Sequence, residues 1–145
     1  MRDLISRLLI LLTCISLTAV AQAEVSITDA WVRASHAGQS VGAAYLTLKS
    51  PQAATLVYIE TDRADSVEMH SMTMDKGVMK MRSLDSLPLP AGKPVKLAPG
   101  GLHLMLFDLT SPLKVGEQVH FRLCFKDPAG NITDQHLTLP VKEAP

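Results

Sequence analysis

The chain has 145 residues with 14 basic and 14 acidic side chains, so its formal net charge is zero when the histidines are neutral. That balance, with no block of Lys and Arg, excludes an electrostatic nucleic-acid binder, and the length suits one domain able to bury a core. Two cysteines are too few for a disulfide framework or for a zinc site built from thiolates.

Residues 1–23 carry a basic start (Arg2, Arg7), an apolar run from Leu8 to Ala21, and Ala21-Gln22-Ala23 ahead of Glu24, the pattern of a cleaved secretory signal. The expected division is a signal peptide at 1–23 and an exported domain at 24–145. The 14-residue apolar run falls short of the roughly 18 to 20 needed to cross a bilayer, and no later segment approaches that length, so no membrane span is expected in the mature chain. Lipid anchoring at Cys14 is the rival reading, but Thr13 precedes it where a smaller Gly, Ala or Ser is usual. Cleavage after Ala23 leaves one more acidic than basic side chain and a single cysteine, Cys124. Stability then comes from packing, because one thiol cannot form an internal disulfide.

Beyond the signal, short runs rich in β-branched and aromatic residues recur: Val25 to Arg33, Val41 to Lys49, Ala54 to Glu60, Ser66 to Met74, Val78 to Leu84, Leu102 to Leu109, Gln118 to Lys126 and Ile132 to Val141. Between them stand Asp75-Lys76-Gly77, Pro88 to Gly92, Pro99-Gly100-Gly101, Ser111-Pro112 and Asp127 to Asn131. Leu46 and Leu48 follow Ala44 at period two. Phe121, Leu123 and Phe125 alternate with Arg122, Cys124 and Lys126, and Leu137, Leu139 and Val141 alternate with His136 and Thr138. One buried face per strand and about eight strands predict an all-β, antiparallel Greek-key sandwich or flattened barrel.

Four residues carry the chemistry. His70, Met81, His103 and Met105 are separated by ten, twenty-one and one residues and supply two imidazoles and two thioethers. Thioether sulfur is soft and uncharged; it offers little to Mg²⁺, Ca²⁺ or Mn²⁺ and suits Cu(I), with imidazole as a borderline partner. Leu102, Leu104 and Leu106 alternate with His103, Met105 and Phe107, which puts His103 and Met105 on one side of a strand. Whether His70 and Met81 share a face depends on the turn between them. A three-residue Asp-Lys-Gly loop would separate them, whereas a two-residue loop or a bulge would bring them to one side.

A lone His on a strand is ordinarily a surface group, and a lone Met is ordinarily core filler. Five of the seven methionines, however, fall between Met69 and Met81 around His70, where a core would use Val, Ile or Leu. Met69, Met72, Met74 and Met79 could therefore form a soft rim to the site, or in part pack in the core. Glu68 and Arg82 flank it as a solvated pair.

The stretch from Val67 to Leu109 resembles the periplasmic copper chaperones of the PCu(A)C type, whose His-Met-His-Met spacing these four residues meet without insertion. Gly77-Val78-Met79, Met81-Arg82, Leu89-Pro90-Ala91-Gly92, Pro99-Gly100-Gly101, Trp31-Val32-Arg33 and Ala43-Ala44-Tyr45 extend the resemblance over nearly all of 24 to 141. It implies a periplasmic, monomeric, cupredoxin-like β-sandwich that binds one Cu(I) per chain through those residues. It also implies a role in copper homeostasis and cytochrome c oxidase assembly, with metallation of the CuA centre of subunit II, often beside a Sco-type partner. The chain ends without a His- and Met-rich tail, so no second, tail-borne copper site is expected.

His36, His120 and His136 lack partners at ligand spacing and read as surface histidines. Trp31 and Tyr45 read as packing residues. Cys124 fails as a blue-copper ligand because the next histidine, His136, lies beyond the turn at Asp127 to Asn131. No G-x-S-x-G elbow occurs, so a hydrolase is not expected and the protein reads as a carrier rather than an enzyme. The alternatives are a redox-active cupredoxin and a metal-free structural sandwich.

Overall fold

The computed structural model describes residues 24–145; the signal peptide expected at 1–23 lies outside them. Ten strands and no helix occur among the described residues: β1 (Ser26–Arg33), β2 (Val41–Lys49), β3 (Ala54–Thr61), β4 (Ala64–Asp75), β5 (Val78–Leu84), β6 (Leu87–Leu89), β7 (Pro94–Leu97), β8 (His103–Leu109), β9 (Gln118–Lys126) and β10 (Ile132–Lys142). The expectation of an all-β domain holds, and the architecture is the cupredoxin-like sandwich. The strands run β5-β4-β8-β2-β1-β10-β9-β3-β6, with β7 added to β2. The first five and β7 make one layer, the last four the other. The layers join where β1 and β10 pair in parallel, Val32 beside Val141.

The core follows the period-two faces. Ala44, Leu46 and Leu48 from β2, Leu104 and Leu106 from β8, Phe121, Leu123 and Phe125 from β9, and Leu139 and Val141 from β10 are all buried. Each such large side chain contributes about 1.5 to 3 kcal/mol by leaving water. Two bulges keep the alternation in phase. Ile27 and Val32 both pack into the core although an odd step separates them, because β1 shifts register between Thr28 and Trp31, with Asp29 at φ 51°. The same device between Leu56 and Tyr58 lets both Leu56 and Ile59 face inward.

Two strands were not expected. β6 and β7 each contain a proline, Pro88 and Pro94; Pro88 reads in the sequence as the start of a turn segment, and 94–97 falls in no run. Proline is tolerated at such strand margins because its missing N–H need not face a partner. Around Pro88, Leu87 and Leu89 are buried against β3.

Candidate metal centre

The tight turn at Lys76-Gly77 sets the geometry of the site. Both residues have positive φ, 50° and 78°, the signature of a two-residue type I′ hairpin. Asp75 therefore pairs with Val78, Met74 with Met79 and Met72 with Met81. Directly opposed residues point to the same side of a sheet, so Met81 shares a face with Met72 and hence with His70. The two-residue alternative is the one the chain adopts.

On the other side of β4, His70 pairs directly with His103 of β8, and Glu68 with Met105. The outward face of three adjacent strands thus carries Glu68, His70 and Met72 in the middle, His103 and Met105 on one side and Met81 on the other. The inward face at the same level is apolar: Met69 is buried and pairs with Leu104. Met69 is accordingly core, while Met74 and Met79 are exposed.

The imidazole rings of His70 and His103 have centroids 5.9 Å apart and planes tilted by 33°. Two imidazoles bound through nitrogen to one ion at about 2.0 Å would set their centroids roughly 5 to 6.5 Å apart, so the separation suits a shared ion. Each ring is held from behind. His103 is 6% exposed, and its Nδ1 donates to the Gly101 carbonyl at 2.9 Å. A carbonyl only accepts, so the neutral ring keeps its proton on Nδ1 and leaves Nε2 with a free lone pair. His70 Nε2 lies 2.9 Å from the Glu68 carboxylate, which fixes the other tautomer and leaves Nδ1 bare. That Nδ1 is buried without a partner. A buried polar atom left unpaired costs about 1 to 3 kcal/mol, a cost that a bound ion would remove. An oxygen acceptor on one nitrogen and a bare second nitrogen is the arrangement that orients metal-binding histidines.

His103 and Met105 line a cleft of about 270 Å³ with Met72, Arg33, Gln39 and Tyr45. Met72, read from the sequence as part of a soft rim, lines this cleft, whereas His70 and Met81 do not, and Met81 stands one strand outward and is 48% exposed. The Phe107 ring lies beside His70 with centroids 6.0 Å apart, and Tyr45, which lines the cleft, has the tilted Trp31 ring against it at 4.7 Å. No three His, Cys, Asp or Glu side chains converge among the described residues, so a metal held here would draw on the thioethers.

The remaining candidates lie elsewhere. His36 is exposed in the loop after β1. His120 and His136 line a cleft of about 390 Å³ between the other layer and the start of β4, with Glu60 and Arg122. There His120 Nδ1 meets the Thr138 hydroxyl at 2.9 Å, and Arg122 is engaged by Glu60 and Asp134 at 2.7 and 3.4 Å. Cys124 belongs to this outward face, as the alternation predicts, yet it is buried rather than wet. Its cross-strand neighbours Tyr58 and Asp134 flank it. Burial, together with the nearby Asp134 carboxylate, pushes its thiol up to about 11.

Fold and outer face define the class: a small β-sandwich domain that presents paired imidazoles and thioethers beside a surface cleft. Residues 25–141 match the family described as "Putative lipoprotein LpqE-like", and the chain belongs to this LpqE-like, PCu(A)C-type family. A relative from Leifsonia xyli subsp. xyli, "Putative lipoprotein Lxx21020", is 31% identical over 122 residues, covering 82% of this chain and 70% of its own length. Among solved structures, DR1885 from Deinococcus radiodurans is 32% identical. In its apo form it superimposes with a TM-score of 0.61 over 86% of this chain and 82% of that one, and it has also been solved in its CuI form. The copper-bound PCuAC domain from PmoF2 matches at TM-score 0.66 over 85% and 97% of the two chains; at 22% identity the likeness speaks for the fold.

Proposed function

We propose that the protein is an exported Cu(I) carrier that holds one ion per chain through His70, Met81, His103 and Met105 and surrenders it to a cuproprotein. The family resemblance points to the CuA centre of cytochrome c oxidase subunit II as recipient, with a Sco-type thiol protein as partner. The observation that carries the proposal is the direct pairing of His70 with His103, each imidazole anchored at one nitrogen and bare at the other, with both thioethers on the same face. The CuI form of DR1885, 32% identical, supports the choice of metal.

The chemistry suits transport in an oxidising compartment. Thioethers form no disulfides, so the site survives where a dithiolate would be oxidised. Four neutral ligands leave the complex at +1, and only the imidazoles bind protons in competition with the metal. A half-exposed Met81 is a ligand that an acceptor can displace first. The redox-cupredoxin alternative loses ground because Cys124, the one thiol of the domain, lies on the other sheet with its proton held firmly. A metal-free sandwich leaves the bare, buried His70 Nδ1 unexplained. Export rests on the signal-like 1–23 and on the lipoprotein name of the Leifsonia relative. The intact mass of the secreted protein distinguishes cleavage after Ala23 from acylation at Cys14.

The deciding experiment is an anaerobic competition titration of residues 24–145 against a chromogenic Cu(I) chelator, beside the His103→Ala/Met105→Leu variant. One tight equivalent, absent from the variant, is expected. Equal, weak binding by both proteins would remove the copper reading.

A further inference from the structure

The hairpin of β4 and β5 projects past the His70–His103 row, and its tip is where the domain leaves most large apolar side chains in water. Met74, Val78, Met79 and Met81 are 67%, 59%, 52% and 48% exposed, and these four are a majority of the exposed large hydrophobic residues among those described. Sequence alone does not show that three of them line up. The type I′ register sets Met74 opposite Met79 and Met72 opposite Met81, all on the face that carries His70. The result is a two-by-two block of thioethers continuous with the candidate centre. Opposed Cβ atoms in such pairs lie about 4.5 to 5.5 Å apart. Three rotatable bonds per side chain let two sulfurs converge on one ion.

Charge at the tip is net positive, which penalises a divalent cation more than a monovalent one. Asp75, beside the turn, is engaged by Lys80, and Lys76 and Arg82 add positive charge to the hairpin. Neutral sulfur offers little to a hard divalent cation and serves Cu(I) and its redox-inert relative Ag(I). Apolar packing does not account for these side chains, since the strand that holds Met79 and Met81 is exposed along nearly its whole length. A hairpin edge with no partner strand would be better served by polar residues.

We propose that Met74 and Met79, with Met72, form a second and weaker Cu(I) station that takes the ion from a donor and passes it along the hairpin to the histidine pair. This rests on the Cu(I)-carrier reading and deepens it. Met81, opposite Met72 and diagonal to His70, is the residue common to both stations. Transfer is ligand exchange at constant oxidation state: each step forms one Cu–S or Cu–N bond as another breaks, and no electron or proton moves. Entry occurs at the exposed end and storage at the sheltered one.

The test uses residues 24–145 with methyl-labelled methionine and two variants. In the wild type, a first equivalent of Ag(I) should shift the Met105 and Met81 methyls, and a second the Met74 and Met79 methyls. In His103→Ala/Met105→Leu the Met74 and Met79 methyls should still respond. Met74→Leu/Met79→Leu should keep the tight equivalent in competition titration yet lose the fast phase when Cu(I) is delivered from its bicinchoninate complex in a stopped-flow instrument. Silent Met74 and Met79 methyls, or unchanged loading kinetics in that variant, would overturn the relay. Loss of the tight equivalent in the wild type, with Met74 and Met79 still responding, would instead sink the carrier reading and leave the hairpin station standing.

Discussion

Cys124 shows that a position on the outward face of a strand need not be wet. The alternation with Leu123 and Phe125 places it outside, and its neighbours on β3 and β10 then cover it. Its thiol is raised from 9.0 to about 11, so at pH 8 the thiolate fraction falls about a hundredfold. Iodoacetamide should therefore label the native protein about a hundredfold more slowly than the urea-unfolded chain; equal rates would show an accessible thiol. A raised pKa favours the native state while the thiol is protonated. That contribution is complete below pH 9 and is lost as pH rises towards 11, so the urea midpoint should decline across this window in the wild type and decline less in Cys124→Ala. The methionines of the candidate centre behave differently. Met81→Leu removes no buried contact and should change apo stability by less than about 0.5 kcal/mol, while Met105→Leu, which conserves volume, should cost less than about 1.5 kcal/mol. Denaturant unfolding of each apo variant checks this, and severe loss in either would mark that residue as core filler.

At the level of elements, turns decide what strands can present. Gly77 sits at φ 78° with open space where a Cβ would stand, so a substitution there costs through backbone conformation rather than collision. Gly77→Ala should destabilise by about 1 kcal/mol in urea titration and should move the Met74 and Met79 methyl signals, because the register of the thioether block depends on this turn. The β9–β10 turn is held by a different device. Asp127 accepts from the Asn131 backbone at 2.9 Å and side chain at 2.8 Å, which holds its carboxyl below the usual carboxylate range. A lowered pKa stabilises the native state above the unfolded value, and the effect disappears as pH falls through the folded one. The stability gap between wild type and Asp127→Ala should be open at pH 7 and close in acid. All eight runs read from composition and bounding turns are strands to within two residues at each end, and alternation also gave the faces of β2, β8, β9 and β10, and with β8 the common side of His103 and Met105. The His70–Met81 relation was not legible, because one residue of loop length reverses every face beyond it and Asp-Lys-Gly can be parsed either way.

For the whole molecule, the sequence conveyed class but not closure. Nothing in the residue pattern announced that β1 and β10 pair in parallel and weld two layers into one continuous run of strands, or that proline-bearing β6 and β7 complete the margins. These features depend on long-range contacts that no local period encodes. Continuity has a thermodynamic consequence. Val32 and Val141 are buried at the seam, and the hydrophobic core draws on both layers, so neither layer has a core of its own. Residues 24–145 should unfold in one cooperative transition. The single tryptophan, Trp31, lies on β1 against Tyr45 and reports the seam, whereas far-ultraviolet circular dichroism reports all strands. The two melting curves should coincide. An ion that binds only the folded chain adds about 2.7 kcal/mol at a hundredfold excess over its Kd. For a domain of this size that raises Tm by roughly 10 °C. Because His70 and His103 sit on β4 and β8 and the cleft reaches β2, Cu(I) should move both curves together by that amount, and neither in His103→Ala/Met105→Leu. A shift confined to the circular dichroism signal would mean that the layers melt separately and that the seam does not couple them.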